Sequence, residues 1–408
     1  MMKKNCIVAQ SGGPTVAINA SLAGVIDGVI NSQTFDKIYG AVHGIQGVLR
    51  NNFLDLSDSS DEFIKKLSYS PAMYLGSCRF KLPDLSADKA TYETIFKTFE
   101  EMNIGAFFYI GGNDSMDTVD KLSKYAKEIG SDILIAGIPK TIDNDLVVTD
   151  HTPGFGSAAK YIATSMREMA YDTYIYDIQS VLIVEIMGRD AGWLTAASAL
   201  ARTEFSQAPH LIYLPETSFD EEQFIEDIKA LLPVKKNVIV AVSEGIHDAE
   251  GNYVSATSAV ADKFGHAQLS GTGKYLENLV STKLGVKVRS VEINVLQRSA
   301  AHMASKTDLD EAFQLGKMAV KFVEDGHSEF MTILTRTSDK PYNYQISHSP
   351  VIHIANQAKS VPREWINHAG NDVTEDMLTY LKPLVTGEIE LCYEDGIPFY
   401  PNIKHLTS

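Results

Sequence analysis

The sequence predicts an α/β fold in which helices flank mainly parallel sheets. Short apolar runs alternate with segments of helical periodicity along most of the 408 residues, and this alternation is typical of parallel strands joined by helical crossovers. The apolar runs are continuous rather than interrupted by polar residues, so the strands are expected to be buried on both faces. The strands number about ten, which favours two sheets over one.

The elements follow one another in a regular order. The predicted strands are 6–9, 37–42, 106–110, 133–138, 181–186, 211–214, 238–242, 288–296 and 330–334. The predicted helices are 15–30, 115–129, 156–176, 191–201, 221–232, 273–284 and 308–324. The region between the second and third strands has no clear period and is expected to be irregular. Residues 336–408 are rich in proline and are predicted to wrap the body as an extension.

Composition and charge exclude several classes of function. The net charge of −16 leaves no basic face for nucleic acid. No apolar stretch approaches the roughly 18 residues that a membrane span requires, so neither a transmembrane helix nor a signal peptide is expected. Cys6, Cys78 and Cys392 are odd in number and far apart, which favours unpaired thiols and a cytoplasmic location.

Two polar segments, each following a predicted strand, carry the strongest functional signal. They read Gly-Gly-Asn-Asp-Ser at 111–115 and Pro-Lys-Thr-Ile-Asp-Asn-Asp at 139–145. Ligands bind beyond the carboxyl ends of parallel strands, so both segments are expected to face one crevice. Asp114, Asp143 and Asp145 would repel one another there unless a metal ion or a cation compensates. The pattern predicts phosphoryl transfer, although a helix cap and a surface turn are the purely structural alternatives.

Within these segments two residues have clear chemical roles. Asp143 could act as general base toward an acceptor hydroxyl, and Lys140 could supply a point charge for phosphate. A third loop, Ser-Gly-Gly-Pro-Thr at 11–15, follows the first strand. Its paired glycines allow backbone N–H groups to approach a phosphate at a helix N-terminus, although a plain tight turn explains them equally well.

Further candidates are charged residues near strand ends. Arg189 follows Gly188 and could bind a phosphate through two parallel hydrogen bonds, or form a surface ion pair. Glu244 could bind sugar hydroxyls or cap a helix. Arg79 is a further candidate for a phosphate clamp. Arg289 and Arg298 are expected near the two ends of the strand over 288–296.

These motifs occur in the order and spacing of the phosphofructokinase family, which the chain resembles over about residues 3–335. The resemblance rests on Gly12-Gly13, 111–115, 139–145, Met187-Gly188-Arg189, Ser243-Glu244-Gly245 and Gln297-Arg298. It implies two Rossmann-like lobes with mainly parallel sheets and an active site in the cleft between them. The donor lobe would comprise 1–153 and about 298–335, the sugar-phosphate lobe 154–297, and residues 336–408 would pack on the body.

The resemblance implies magnesium-dependent phosphoryl transfer to the 1-hydroxyl of fructose 6-phosphate. Asp143 would be the general base, Thr141 would position the acceptor, and Asp114, Lys140 and Arg189 would complete the catalytic set. Substrate-binding residues would be Thr141, Ile142, Asp143, Met187, Gly188, Arg189, Glu244, Arg289, Val295 and Arg298. The pyrophosphate-binding residues would be Gly13, Arg79 and Lys140, and the metal ligands Asn113, Asp114 and Asp145.

Two charged residues indicate that the donor is pyrophosphate. Asp114 and Lys140 stand where ATP-dependent members carry glycine, as in the pyrophosphate-dependent branch. A carboxylate at 114 would oppose the α-phosphate of a nucleotide. Two like charges about 4 Å apart cost about 4 kcal/mol at an effective dielectric constant of 20, roughly a thousandfold in affinity. Lys140 would neutralise the leaving phosphate, and the transfer would be reversible because it exchanges one phosphoanhydride for one phosphate ester.

Other positions depart from the ATP-dependent pattern. Asn113 stands where those members carry a magnesium-binding aspartate. Ser180 and Val295 stand where they carry an arginine and a histidine, so the 6-phosphate needs other partners. The candidate replacements are Lys274 and His302.

Three alternative functions remain open. The first is an ATP-dependent phosphofructokinase that tolerates Asp114 and Lys140. The second is a non-catalytic regulatory subunit, against which the presence of Asp143 and Arg189 argues. The third is a lipid or NAD kinase, against which the Met-Gly-Arg and Gln-Arg segments argue. Arg289 falls where the family uses an arginine that reaches into a neighbouring subunit's site, which implies a homodimer or homotetramer.

Overall fold

Two main sheets organise the chain. The computed structural model describes residues 3–78, 80–254 and 271–407, in which thirteen strands form sheets of seven, four and two strands. Strands and helices alternate along the chain. The predicted α/β class with mainly parallel sheets is therefore confirmed. Among the described residues, no helix is both long enough and apolar enough to cross a bilayer.

The first sheet combines strands from both parts of the chain. Its strands are β1 (Lys4–Gln10), β2 (Phe35–Ala41), β3 (Phe53–Asp55), β4 (Ile104–Gly111), β5 (Leu134–Pro139), β10 (Phe330–Asp339) and β11 (Tyr342–Pro350). Their order is β11-β10-β5-β4-β1-β2-β3. The pairs β2–β3 and β10–β11 are antiparallel, and the other pairs are parallel. Because β1, β4 and β5 are parallel neighbours, the loops that follow them meet at one edge of the sheet.

The second sheet is contiguous in sequence and entirely parallel. Its strands are β6 (Ser180–Ile186), β7 (Leu211–Tyr213), β8 (Asn237–Ser243) and β9 (Lys287–Glu292), in the order β7-β8-β6-β9. The pairing is parallel throughout. A third, two-stranded sheet pairs β12 (Tyr393–Glu394) with β13 (Ile397–Pro398) near the C-terminus.

Helices cover both faces of the two main sheets. They are α1 (Ile18–Ile30), α2 (Ile45–Leu49), α3 (Asp61–Ser68), α4 (Lys89–Glu101), α5 (Asn113–Ile129), α6 (Phe155–Tyr174), α7 (Trp193–Ala197), α8 (Glu221–Leu231), α9 (Thr272–Leu284), α10 (Leu296–Ser299), α11 (Lys306–Glu324), α12 (Glu375–Leu381) and α13 (Lys404–Thr407). Alternate residues of β4 join different cores. Phe108 packs with α1 and α11 on one face, and Phe107 packs with α4 and α5 on the other. This burial explains the continuous apolar runs of the sequence.

Helices α1 and α11 cross at unusually close range. A Cβ atom at Gly24 would lie 2.0 Å from the carbonyl oxygen of Phe313, and one at Gly316 would lie 2.1 Å from that of Ser21. Any side chain at either position would force the helices apart. This contact fixes α11 beneath the loop that follows β1.

Four sequence predictions need correction. The first helix begins at Ile18 rather than at 15, because the Thr15 hydroxyl accepts a hydrogen bond from the Ile18 N–H. The region expected to be irregular contains β3 and the helices α2, α3 and α4. The strand expected over 288–296 ends at Glu292, because Asn294 adopts a left-handed conformation at φ 48°. Arg298 therefore lies on the short helix α10 rather than at a strand end.

The strand after α11 is not the last one, since β11 pairs with it as a hairpin.

Candidate functional site

A cleft of about 680 Å³ lies where the carboxyl ends of β1, β4 and β5 face those of β6 and β8. Its lining residues come from segments of both main sheets. They are Gly12, Gly13, Pro14, Thr15, Lys81, Gly112, Asn113, Asp114, Ser115, Lys140, Thr141, Ile142, Asp143, Asp145, Met187, Arg189, Asp190, Ala191, Glu244, Arg298, Asn356, Gln357, Ala358, Lys359 and Ser360. The cleft thus brings together most of the residues that the sequence singled out.

The loop after β4 leads directly into helix α5. Gly112 precedes the helix without a side-chain cap, and Asp114 lies in its first turn. Asp114 is well exposed and stands 4.0 Å from the ammonium group of Lys81. The structure therefore does not use Asp114 as a helix cap. Its carboxylate faces the cleft at the positive end of the α5 dipole, where negative charge is stabilised.

Hydrogen bonds within the chain shape the loop after β5. Asn144 adopts a left-handed conformation at φ 54°. Its amide donates to the Tyr380 hydroxyl at 2.8 Å and accepts from the Thr152 N–H at 3.1 Å. The Asp143 N–H donates to the Thr141 hydroxyl oxygen at 3.1 Å. These bonds turn Asn144 inward and leave the flanking carboxylates of Asp143 and Asp145 on the cleft side.

A buried ion pair anchors the far end of this loop. His151 lies between Asp150, at 2.7 Å, and Glu311 of α11, at 2.6 Å. Burial alone would lower the pKa of His151, but the carboxylates of Glu311 and Asp150 outweigh it and raise the pKa to about 9. A charged imidazole therefore ties the loop to α11.

Asp143 and Asp145 share the floor of the cleft. Removal from water and, to a smaller extent, the Asp145 carboxylate raise the pKa of Asp143 to about 6, although Lys140 and Arg189 oppose the rise. Removal from water likewise raises the pKa of Asp145. One oxygen of Asp145, Oδ1, is buried without a hydrogen-bond partner among the described residues. The pair thus provides a base of moderate strength and an oxygen available for a cation.

Lys140 is almost completely buried beside these carboxylates, with 2% of its surface exposed. Its ammonium group donates to the Gly13 carbonyl at 2.6 Å. Burial lowers its pKa to about 8, although Asp143 and Asp145 act in the opposite direction. Gly12 is left-handed at φ 81°, and a Cβ atom there would lie 3.1 Å from the Lys140 ammonium nitrogen. The glycine loop and Lys140 therefore form one unit that presents a cation to the cleft.

The opposite wall follows β6 and β8. A Cβ atom at Gly245 would lie 1.8 Å from the Arg189 carbonyl oxygen, so only glycine allows the two loops to pack. The Gly188 N–H donates to Glu244 at 3.4 Å. Burial raises the pKa of Glu244 to about 7. The Nε atom of Arg189 is buried without a hydrogen-bond partner among the described residues. This wall offers a guanidinium and a carboxyl group to a polar ligand.

Some of the predicted site residues lie elsewhere. Gly188 is buried behind the wall, and Val295 is 47% exposed at the start of α10. Arg289 lies within β9 and stacks on Tyr176 at 5.9 Å from the ring centre. Ser180 lies at the start of β6 and lines a small pocket with Arg289. Lys274 pairs with Glu277, and His302 packs edge-on against Tyr161. Arg79 lies outside the described residues.

One part of the cleft could not be predicted from any sequence motif. Residues 356–360 line it between the two walls. Their sequence, Asn-Gln-Ala-Lys-Ser, contains no motif, and they follow the region that resembles the family. Lys81 was also missed, although its position two residues after Arg79 could have suggested a role beside Asp114.

The described residues contain no cluster of three or more metal-ligating His, Cys, Asp or Glu side chains. Asp114 and Asp145 nevertheless line the same cleft, and Asp145 Oδ1 is buried and unpaired within the described part of the chain. Magnesium is usually held by one or two carboxylates and completes its shell with water and substrate phosphates. The donor set therefore fits such an ion. The Asn113 side chain, in contrast, is bonded at both ends to the main chain of residues 356 and 357.

Comparison with known proteins identifies the family. The family model described as phosphofructokinase matches residues 5–323. The chain belongs to the phosphofructokinase family. The pyrophosphate–fructose 6-phosphate 1-phosphotransferases of Xanthomonas campestris pv. campestris and Halomonas elongata are 42% and 39% identical to it, covering 100% and 98% of the chain and 98% and 96% of their own lengths. The pyrophosphate-dependent phosphofructokinase of Marinobacter aquaeolei is 37% identical, with a TM-score of 0.87 over 97% of this chain and 95% of that one.

These likenesses confirm the family recognised in the sequence. The solved structure covers nearly all of this phosphofructokinase chain, including the C-terminal segment beyond residue 335. The fold prediction of two lobes with a cleft between them is therefore confirmed. The roles of individual site residues and the limits of the lobes stay predictions.

Proposed function

We propose that the protein transfers a phosphoryl group reversibly from pyrophosphate to the 1-hydroxyl of fructose 6-phosphate. The products are fructose 1,6-bisphosphate and phosphate. The observation that carries the proposal is the buried ammonium group of Lys140, held at 2.6 Å from the Gly13 carbonyl on the donor side of the cleft. Relatives that share its full length are named for this reaction.

Asp143 is proposed as the general base. It accepts the proton of the sugar hydroxyl while the hydroxyl oxygen bonds to the nearer phosphorus of pyrophosphate. The bond from that phosphorus to the bridging oxygen breaks, and its electron pair leaves with the departing phosphate. Its pKa of about 6 keeps Asp143 ionised at neutral pH, yet close enough to neutrality to accept a proton.

Lys140 and Arg189 are proposed to stabilise the charge on the phosphates. Lys140 lies on the donor side, where it would face the departing phosphate. Arg189 lies on the opposite wall with an unpaired Nε in the described structure, where it would face the transferred group. Fixed cations in a partly dry cleft require little reorganisation during the reaction, so they favour the transition state.

Magnesium is the metal ion that we propose for this site, and Asp114 and Asp145 are the residues that would hold it. When bound, the ion would neutralise part of the charge of the phosphates. Glu244 and Met187 would contact the sugar. Arg289 lies outside the cleft of its own chain, so we propose that it acts in a homo-oligomer. A cytoplasmic location stays a prediction from the cysteines, which are unpaired among the described residues.

One observation favours ATP as an alternative donor. A second cavity of about 450 Å³ adjoins the cleft, and Asp114 and Lys81 line both. An adenosine group in this cavity would place the α-phosphate of ATP near Asp114, because Asp114 lines both spaces. The charge of Asp114 therefore decides between the two donors.

The proposal is tested by measuring fructose 1,6-bisphosphate formation from fructose 6-phosphate and magnesium, with pyrophosphate and ATP as parallel donors. Activity with pyrophosphate but not ATP is the expected result. Activity with ATP alone would refute the assignment of Asp114 and Lys140 while leaving the family intact. Inactivity with both would favour the regulatory-subunit alternative.

A further inference from the structure

Residues 356–361 form a strap that runs from the donor side of the cleft to the sugar side. At its first end, the Asn356 N–H donates to Asn113 Oδ1 at 2.6 Å, and Asn113 Nδ2 donates to the Gln357 carbonyl at 2.6 Å. The Asn356 side chain also donates to Asp117 of α5 at 3.0 Å. The strap is thus fastened to the first two turns of α5.

The middle of the strap is held beside the loop that follows β5. The Lys359 N–H donates to the Asp145 carbonyl at 2.7 Å. The Lys359 ammonium group donates to the carbonyls of Thr149 and Asp150 at 3.2 and 2.6 Å. These bonds satisfy main-chain oxygens of the loop that carries Asp143 and Asp145, so the strap and the loop hold each other in place.

The second end of the strap is fastened to the sugar side. Trp193 of α7 donates its indole N–H to the Lys359 carbonyl at 3.1 Å. The carboxylate of Glu216 accepts from the Val361 N–H and from the Gly192 N–H, both at 2.9 Å. The strap therefore connects the two walls of the cleft, mostly through hydrogen bonds between its own main chain and side chains of the walls.

We propose that Asn113 is a positioning residue that fastens this strap to α5 and thereby holds the adjacent Asp114 at the donor site, rather than a metal ligand. The inference rests on the proposed function for its donor and metal. Its structural basis is independent of both, because the two hydrogen bonds of Asn113 involve only the protein.

The chemistry of the amide group explains why asparagine suits this position. One side-chain end must accept from an N–H and the other must donate to a carbonyl. An amide does both, whereas a carboxylate can only accept. An aspartate at 113 would place a negative oxygen against the Gln357 carbonyl at a contact that is now 2.6 Å long. Introducing aspartate should therefore loosen the strap.

The variant Asn113→Asp distinguishes a metal-ligand role from a positioning role, because the two roles predict opposite changes in the magnesium requirement. If Asn113 were a metal ligand, a carboxylate would be the better ligand for magnesium, and the variant would need less of it. A positioning role predicts the reverse, with the magnesium concentration for half-maximal rate raised several-fold in both Asn113→Asp and Asn113→Ala. The KM for pyrophosphate should rise with it, and the KM for fructose 6-phosphate should stay within about twofold.

The second readout is amide hydrogen exchange of the ligand-free protein. Exchange at the N–H groups of Asn356 and Lys359 should become at least about tenfold faster in Asn113→Ala. The matched control is Asn343→Asp, which makes the same change in charge at an exposed position on the β10–β11 hairpin. The control should leave both readouts unchanged.

A lower magnesium requirement in Asn113→Asp, with strap exchange unchanged in Asn113→Ala, would overturn the proposal. Exchange is measured without donor or metal, so it remains decisive if the protein proves inactive with pyrophosphate. In that case the proposed function fails while faster exchange still supports the strap.

Discussion

The two sides of the cleft differ in how completely a single chain builds them. On the donor side, Lys140 is buried against the Gly13 carbonyl and two carboxylates, and the strap fixes the loop around them. On the sugar side, the Arg189 Nε has no hydrogen-bond partner among the described residues, and Glu244 accepts a long bond of 3.4 Å from Gly188. The donor-side cation is thus held by bonds within the chain and Asp145 Oδ1 is left for a metal ion, whereas the sugar-side cation keeps an unpaired Nε in the described structure.

The same difference appears in where the expected site residues lie. Gly13, Asp114 and Lys140 line the cleft together. Val295 and Arg289, which the family resemblance placed among the substrate contacts, are not among its lining residues. We infer that the sugar side depends on groups from a second subunit.

The largest effect on turnover is expected for Asp143, which lies where the donor side and the sugar side of the cleft meet. Asp143→Ser should lower kcat by about 10²–10⁴-fold, because general-base catalysis contributes that much. Binding of fructose 6-phosphate, measured by calorimetry, should be largely kept. Asp132→Ser, at an exposed position ahead of β5, is the control. Survival of turnover in Asp143→Ser would show that another group is the base.

On the donor side, Asp114→Gly should relax the choice of donor. Removing the carboxylate removes a repulsion of about 4 kcal/mol at an effective dielectric constant of 20, so the ratio of kcat/KM for ATP to that for pyrophosphate should rise by at most about a thousandfold. The exposure of Asp114 and its neighbour Lys81 reduce this gain. An unchanged ratio in steady-state assays would contradict its role in selecting the donor.

On the sugar side, Arg289→Ala should raise the KM for fructose 6-phosphate about ten- to a hundredfold, the value of a hydrogen bond to a charged group. Lys287→Ala is the matched control, because Lys287 lies on the same strand and over the same Tyr176 ring. Mixing Arg289→Ala with Asp143→Ser chains should restore activity, since a mixed oligomer then contains one site with both residues. Absence of restoration after confirmed exchange of subunits would place Arg289 outside any shared site.

The pH dependence of kcat/KM should reveal the ionisation of two donor-side groups, the carboxylate of Asp143 and the ammonium group of Lys140. Asp143 must be deprotonated, so kcat/KM should fall about tenfold per pH unit as the pH drops below its pKa of about 6. Lys140 must be protonated, so kcat/KM should fall similarly as the pH rises above its pKa of about 8. Lys140→Arg should remove the alkaline limb, because a guanidinium stays charged. A limb that persists in that variant would belong to another group.

How much the sequence could predict depends on how far apart along the chain the interacting residues lie. Asp114 was expected to face the same crevice as Lys140, Asp143 and Asp145 because the strand-end rule places the loops after β4 and β5 side by side. Helices α3 and α4 were missed although Ser60 and Asp88 cap them, each accepting from the N–H three residues later. A serine or aspartate just before a helix is a local sequence signal for the helix N-terminus, so the starts of these two helices could have been predicted.

The strap is a different case, because its own residues contain no sequence pattern that indicates a role in the site. Lys359 and Asn356 become part of the site only through bonds to residues more than 200 positions earlier, such as Asp145 and Asn113. An asparagine at 113 looks in the sequence like a missing metal ligand. In the structure, the Asn113 side chain makes two hydrogen bonds to the main chain of residues 356 and 357. No local sequence pattern connects that segment with Asn113.

The discontinuous first sheet has a consequence for biosynthesis. The second sheet is complete once residue 292 has been made, but the first still lacks β10 and β11, which end at Pro350. The strap is made later still. Since domains fold as units while the chain emerges from the ribosome, the sugar wall can fold before the donor wall is closed. The cleft acquires its full lining only near the end of translation, so a chain truncated before residue 356 would have the loops after β4 and β5 and no complete site.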